Sequence, residues 1–135
     1  PAEQREAFES ILDEAVECRI YVVRAVNEQL KAKVDDAEES ISVSCADLSA
    51  ILADSGATEE QLKTFKAAYD DRFGQAMLNP ENIVDIRHFE MKAGEIKISV
   101  SPDQSFLVET REIDGKKYIM VPASEVELNG LPVKV

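Results

Sequence analysis

The residues able to act as nucleophile and base are few: two cysteines, Cys18 and Cys45, and a single histidine, His88. A thiol and an imidazole form a nucleophile–base pair only when the fold brings them within hydrogen-bonding reach. Cys45 is the better candidate, because we expect it at a helix N-terminus, where the thiolate is favoured. The simpler interpretation, which we favour, is two reduced, unbridged thiols and a surface histidine in a charged row with Glu90.

The spacings typical of metal and nucleotide sites do not occur in the sequence. One histidine without neighbouring cysteines does not make a typical zinc site. The acidic connector at residues 35–40 lacks the spacing and the central glycine of an EF-hand loop. Glu109 and Arg111 share one face of a predicted strand, which is typical of a solvated surface. We therefore assign no catalytic, cofactor-binding or metal-binding residue and expect no cofactor.

Length and charge favour an acidic folded domain. The chain has 135 residues, near the commonest size of a single domain, and a formal net charge of −12. Such a surface repels phosphate backbones, so we expect no nucleic-acid binding. No apolar run reaches the ~20 residues of a membrane span, and no signal segment opens the chain. We expect a cytoplasmic protein without membrane contact and, because it begins with Pro1 rather than Met, part of a longer one.

Residues 2–33 carry a helical pattern with one interruption. Apolar side chains recur on one broad face at the helical period, which fits a single long helix. Against this, Arg19 projects into the middle of that face, and Ile20 lies off it at the start of a β-branched stretch. We favour two helices separated near residues 17–20.

Two shorter helices are indicated by capping signals. Ser44 precedes Asp47 by three residues, and Thr58 precedes Gln61 by the same spacing, as in a capping box. A glycine follows each helix, so the pair reads as a helical hairpin. A DNA-binding helix-turn-helix is the more specific alternative. We disfavour it because acidic residues outnumber basic ones in the second helix.

The rest of the chain reads as short antiparallel strands joined by tight turns. Asp114-Gly115 and Asn129-Gly130 suit the two-residue hairpin turn that needs positive φ, and Ala93-Gly94 is a third candidate. The hairpin around Asp114-Gly115 carries apolar residues on both faces, which favours a central position in a sheet. The segment at residues 78–82 is predicted to be a break between the helices and this sheet.

The sequence predicts the register of the last hairpin. With Asn129-Gly130 as the turn, Leu128 faces Leu131, and one face of the hairpin is entirely apolar. Pro132 then falls at a non-hydrogen-bonded position, so its missing N–H points away from the partner strand. Residues 131–135 are therefore predicted to form an edge strand.

Together these patterns predict an α+β fold. We expect about four N-terminal helices followed by an antiparallel sheet of about five strands built from hairpins, with the sheet covering the helices. Residues 1–135 are expected to form a single domain, with a helical half at 1–75 and a sheet half at 76–135.

Several turn and packing motifs of the chain are similar to those of a known family. They are Val108-Glu109-Thr110-Arg111, Ile113-Asp114-Gly115-Lys116-Lys117, Val126-Glu127-Leu128-Asn129-Gly130, Glu17-Cys18, Val22-Val23 and Leu52-Ala53-Asp54-Ser55-Gly56. In these motifs the chain resembles the C-terminal part of an uncharacterised bacterial family, domain of unknown function 4317. The resemblance covers nearly the whole chain, and it implies a longer parent protein, a cytoplasmic setting and no activity to carry over.

Two classes of function remain open. The first is a non-catalytic structural or protein-interaction module of a larger cytoplasmic bacterial protein, whose partner is the rest of its parent chain or another protein. The second is part of an enzyme whose active site is shared with an upstream portion. A deep pocket with convergent polar groups would favour the enzyme, and a flat, partly apolar patch would favour the module. The sequence makes no prediction of oligomeric state.

Overall fold

A computed structural model describes residues 2–135, and the chain divides into two units. The first unit ends at Pro102, and the second spans Asp103–Val135. The prediction that the whole chain forms one domain stays a prediction. The elements of the first unit are α1 (Ala2–Val16), α2 (Ile20–Asp36), α3 (Cys45–Asp54), α4 (Glu59–Phe73), α5 (Pro80–Ile83), β1 (Phe89–Ala93) and β2 (Ile96–Val100).

The break between the first two helices is confirmed. Glu17 ends α1 in the left-handed region, with φ at 64°. Its N–H donates to the carbonyl of Asp13 at 3.0 Å, and the next amide, that of Cys18, donates to the Asp13 carboxylate at 2.9 Å. Arg19 is extended and starts α2. The left-handed Glu17 and the extended Arg19 both depart from helical backbone geometry, so one helix ends and the next begins within three residues.

Both predicted capping boxes are confirmed. The Ser44 hydroxyl accepts from the backbone N–H of Asp47 at 3.1 Å, and the Asp47 carboxylate accepts from the N–H of Ser44 at 2.9 Å. Thr58 and Gln61 form the same reciprocal pair at 3.1 and 2.8 Å. These bonds satisfy N–H groups that the first turn of a helix leaves without partners, which fixes where α3 and α4 begin.

The predicted break at residues 78–82 is wrong in part, because Pro80–Ile83 form the short helix α5. Asn79 caps it through a 3.0 Å bond from the N–H of Glu81, and Pro80 occupies the first helical position. Just before it, Leu78 forms an isolated antiparallel bridge with Val43. The extended segment before α3 is therefore a single bridge and not a longer strand.

The hydrophobic core of the first unit is built by helices packing on one another. Helix α1 packs on α4 and α5, and α3 packs on both α2 and α4. The expectation that a sheet covers the helices is not met by β1 and β2, because no residue of either strand belongs to the core cluster of the described chain. The apolar faces of the helices are buried against one another. The largest fully buried side chains of the cluster are Phe8, Leu30, Leu48, Ile51, Phe65 and Tyr69.

The first hairpin forms, but its turn is shifted by one residue from the prediction. Ala93 pairs with Ile96, so the turn residues are Gly94 and Glu95 instead of Ala93 and Gly94. Gly94 has a φ of 62°. Glycine at the first central position is typical of a type II′ turn. Both registers place apolar residues opposite each other, so alternation alone does not choose between them.

The 3-10 helix Pro102–Leu107 begins at the last residue of the first unit. The second unit contains four strands, β3 (Glu109–Ile113), β4 (Lys116–Met120), β5 (Val126–Leu128) and β6 (Leu131–Val133). The predicted turns at Asp114-Gly115 and Asn129-Gly130 are confirmed, with registers that place Ile113 opposite Lys116 and Leu128 opposite Leu131.

The single antiparallel sheet of about five strands is the main error of the sequence prediction. Within residues 2–135 the six strands form three separate two-stranded sheets, β1–β2, β3–β4 and β5–β6. The hairpin β3–β4 is therefore not central. The α+β class is confirmed, with α1–α4 as the predicted four helices and with α5 and the 3-10 helix in addition. Turn residues specify pairing inside a hairpin, whereas pairing between hairpins depends on contacts that the local sequence does not contain.

Candidate functional site

A pocket of about 690 Å³ opens in the first unit between α1, α2 and the segment from α5 to β1. We call it the α1–α2 pocket. The two helices contribute residues three or four positions apart, so that each presents apolar side chains to the cavity and charged ones beside them. The residues that define it are Arg5, Phe8 and Leu12 on α1 and Ile20, Val23 and Asn27 on α2.

Two contacts hold the start of β1 against α2 along this pocket. The Asn27 side-chain amide donates to the backbone carbonyl of Asp85 at 2.6 Å. One turn earlier on α2, the Arg24 guanidinium lies 5.6 Å from the centre of the Phe89 ring, a cation–π distance. Arg24 precedes Asn27 on α2, whereas its partner Phe89 follows Asp85 in the chain. The segment that leads into β1 therefore runs antiparallel to α2 past the cavity.

Asp85 lines the pocket and forms polar contacts with two neighbouring residues. Its carboxylate lies 3.1 Å from the His88 ring Nδ1 and accepts from the backbone N–H of Arg87 at 3.1 Å. Burial opposes the charged form, but the bonds from Arg87 and His88 outweigh it and lower the pKa of the Asp85 carboxyl below its ordinary value. Asp85 is therefore ionised at neutral pH and accepts from both neighbours.

His88 is a surface histidine, as predicted, but it does not form a row with Glu90. Its side chain is 70% exposed, and it precedes β1 and pairs with Asp85. Glu90 lies instead within ion-pair distance of Lys92 at 3.6 Å and Lys97 at 3.4 Å.

The fold brings Cys18, and not Cys45, to the pocket that His88 lines. The Cys18 thiol lies 3.8 Å from the carbonyl oxygen of Glu9, as a weak hydrogen bond. Burial raises the pKa of this thiol, and the nearby charges of Asp13 and Glu9 raise it further. The protonated thiol is a poor nucleophile, so Cys18 is not activated in this arrangement.

Cys45, the better candidate by sequence, begins α3 as expected and lines a separate depression that includes Lys66 and Tyr69. Its sulfur lies 4.0 Å from the Ser49 hydroxyl, and both cysteines are free thiols. Glu109 and Arg111 both lie on β3, in the second unit, and are exposed.

The α1–α2 pocket brings Cys18 and His88 to one cavity without pairing their side chains. Among the described residues, no hydrogen bond joins Cys18 to His88, and no cluster of three or more histidine, cysteine or acidic side chains could hold a metal ion. Sequence reasoning missed Asp85, Arg24 and Asn27. The Asp85-to-Arg87 bond is a local Asx-type turn that the sequence could have suggested, whereas the contacts of α2 have no local signal.

A second candidate surface lies on the β5–β6 hairpin of the second unit. The predicted apolar face forms, but it is exposed instead of half buried: Leu128 is 62% and Leu131 is 68% exposed. We call it the β5–β6 face. Its members are Val126, Leu128, Leu131, Val133 and Val135.

Both strands of this hairpin have an open edge. Within the described chain β5 and β6 pair only with each other, so β6 is an edge strand as predicted, although it ends at Val133 and not at Val135. Leu128 and Leu131 close the turn as a hydrogen-bonded pair, which turns the backbone groups of Glu127 and Pro132 outward. Glu127 presents both an N–H and a carbonyl there, whereas Pro132 has no N–H to present.

Comparison with known proteins identifies a family. Residues 1–131 match the family model described as Domain of unknown function (DUF4317). No curated protein and no solved structure matches the chain. Among the helices described in residues 2–135, none combines the length and the apolar character needed to cross a membrane. Because the match covers nearly all 135 residues, the chain belongs to the DUF4317 family.

Proposed function

We propose that this chain is a non-catalytic protein-interaction module of a larger cytoplasmic bacterial protein, and that it binds an extended polypeptide segment at the β5–β6 hairpin. The observation that carries the proposal is an exposed apolar face beside an open strand edge. Large apolar side chains that stay exposed on one face are typical of interaction surfaces.

The outer edge of β5 is the better place for an added strand. Glu127 offers an added strand both a backbone N–H donor and a carbonyl acceptor, as strand addition requires. Pro132 on β6 has no N–H donor to offer. Apolar side chains of the incoming strand would pack beside Val126 and Leu128 on the β5–β6 face. Lys134 follows β6, and a lysine beside an edge discourages pairing there.

The test is site-specific photo-crosslinking from position 131 in the complete parent protein, expressed in its host. We expect one discrete product, either within the parent chain or with one partner protein. Leu128→Asp should abolish it by charging the face, and Glu127→Pro should abolish it by removing the edge donor without touching a bond inside the hairpin.

The matched control is Ile96→Asp. Ile96 is 66% exposed and follows a hairpin turn, as Leu131 does, but it belongs to the other unit. The proposal fails if no product forms, or if Ile96→Asp removes the product as completely as Leu128→Asp does.

The second candidate is part of an enzyme whose active site is shared with an upstream portion. Its support is that Cys18 and His88 line one pocket, with Asp85 against the imidazole. The raised pKa of Cys18 speaks against it. Alkylation of Cys18 by iodoacetamide at pH 7 in the complete parent protein tests this: a rate above that of a free cysteine peptide supports the enzyme, and a slower rate excludes a Cys18 nucleophile.

A further inference from the structure

The outer edge of β4 is open and apolar. Within residues 2–135 β4 pairs with β3 alone, so one of its two edges has no strand beside it. Tyr118, Met120 and Val121 lie along this strand and its end, and all three side chains are exposed. Exposed apolar side chains beside unpaired backbone groups are typical of a surface that pairs with another strand.

The register of the β3–β4 hairpin decides which backbone groups point outward. Ile113 and Lys116 close the two-residue turn as a hydrogen-bonded pair, so every second pair along the ladder is hydrogen-bonded as well. The outward N–H and carbonyl groups of β4 are therefore those of Lys117 and Ile119, and the same alternation continues at Val121. Each of these residues offers an added strand both a donor and an acceptor.

The outer edge of β3 is the poorer place for an added strand. Its outward groups belong to Thr110 and Glu112, and the next position in the same alternation is Val108. The N–H of Val108 donates to the carbonyl of Ser105 at 3.1 Å, so it does not point towards an added strand. A ladder along β3 is therefore one residue shorter than a ladder along β4.

Two-fold symmetry allows few ways of pairing the β4 edge with its own copy, because outward residues must face outward residues. An axis at Lys117 sets two lysines opposite each other, which is unfavourable. An axis at Tyr118 sets Lys117 against Ile119 and leaves Val121 opposite the turn. An axis at Met120 sets Tyr118 and Lys117 against residues beyond the end of β4.

An axis at Ile119 is the one that the side chains favour. Ile119 then faces itself, and Tyr118 faces Met120, a thioether–aromatic contact. The remaining outward pair contains one charge, Lys117, which lies opposite Glu112 within its own hairpin and is offset by it. No like charges face each other, so this edge is complementary to itself and a second copy is its fitting partner.

We propose that two copies of this chain associate through β4, antiparallel and centred on Ile119, so that the β3–β4 hairpins of both copies form one sheet. Each outward residue exchanges both backbone hydrogen bonds with its counterpart. The β5–β6 hairpin takes no part, so this surface is separate from the strand-addition site and does not depend on it. One added strand pair is a small interface, so the dimer belongs to the weak, concentration-dependent class.

The first test is disulfide trapping in the 135-residue chain with Cys18 and Cys45 replaced by serine. Ile119→Cys places a thiol on the two-fold axis, where hydrogen-bonded partners have Cα atoms about 5.5 Å apart, within the span of a disulfide. The matched control is Thr110→Cys, opposite Ile119 on the other edge of the same hairpin. We expect a covalent dimer from Ile119→Cys alone. No dimer from it, or equal rates for both variants, would overturn the proposal.

A charge swap tests the register. Tyr118 lies opposite Arg111 in the hairpin and Met120 lies opposite Glu109, so Tyr118→Glu and Met120→Lys are each matched by an opposite charge within their own hairpin. In sedimentation velocity each single variant should dimerise about tenfold more weakly, because the axis applies each change twice. The double variant should regain the dimer, since glutamate then faces lysine. A double variant that associates no more than the singles do would refute this register.

Proline variants test the choice of edge. Ile119→Pro removes an outward N–H of β4 without touching a bond inside the hairpin and should abolish the dimer, whereas Thr110→Pro does the same on β3 and should not. Leu128→Asp, which charges the β5–β6 face, should leave association unchanged. A wild-type chain that stays monomeric up to its solubility limit, or a dimer lost in Leu128→Asp and kept in Ile119→Pro, would contradict pairing through β4.

Discussion

Replacing Asp85 should separate the two contributions of its side chain. Asp85→Ala removes the acceptor for the Arg87 N–H and the partner of His88. A net hydrogen bond contributes about 1 kcal/mol to stability. The pair with His88 joins side chains that are 70% and 52% exposed, so solvent screening leaves it about 0.5 kcal/mol or less. We expect Asp85→Ala to lower the free energy of unfolding by about 1–1.5 kcal/mol.

Asp85→Asn keeps an oxygen for the Arg87 N–H and removes only the charge, so it should cost about 0.5 kcal/mol at pH 7. This difference between wild type and Asp85→Asn should depend on pH with a definite sign. The pKa of Asp85 is lower in the folded protein than its ordinary value of 3.8, so the charge stabilises the fold above about pH 4. That stabilisation is lost as the pH falls through the lower, folded value.

The assay is urea unfolding of wild type, Asp85→Ala and Asp85→Asn at pH 7 and at a series of values below pH 4. The gap between wild type and Asp85→Asn should shrink towards zero on acidification, while Asp85→Ala stays less stable than Asp85→Asn at every pH. Within the series below pH 4, a gap that stays constant or widens on further acidification would refute the assignment of a lowered pKa to this carboxyl.

Four further expectations follow from other parts of the chain. Thiol titration of the denatured, non-reduced protein should find Cys18 and Cys45 both free, and finding neither would contradict the structure. Thr58→Ala, which removes the hydroxyl that accepts from the N–H of Gln61, should cost about 1 kcal/mol in urea unfolding, and no change would mean that the capping box contributes nothing. Pro132→Val restores an outward N–H on β6 and should increase self-association in size-exclusion and light scattering without unfolding the protein; a mass that does not change with concentration would argue against an open edge. The acidic chain should give no salt-sensitive shift of labelled DNA or RNA at micromolar protein, and a shift would count against the charge argument.

Local chemistry accounts for what the sequence predicted well. Ser44 and Thr58 satisfy orphan N–H groups within three residues of themselves, so the starts of α3 and α4 are readable from a few letters. The Asn129-Gly130 turn is local in the same way, because the register of the β5–β6 hairpin depends only on the turn and the residues beside it. The break after α1 is also local, because it comes from the residues between Val16 and Ile20.

The pocket and the separation of the hairpins have no such local signal. Asn27 meets Asp85 across 58 positions of the chain, and Arg5 meets Glu81 across 76. Nothing in either neighbourhood specifies the other, so these contacts are set by helix packing. The prediction of a single sheet is wrong for a related reason. Alternating apolar residues predict a half-buried strand, whereas Leu128 and Leu131 lie on a face that stays exposed.

The left-handed backbone at Glu17 has a consequence for which substitutions the chain tolerates. At a φ of 64° the Cβ group itself is the source of strain, so the size and polarity of the side chain matter less than its shape near the backbone. Glycine and asparagine should be accepted at this position, and valine, isoleucine and threonine rejected, although the site lies between two helices. A saturation library at position 17, selected for folding, should therefore rank residues by backbone preference and not by hydrophobicity.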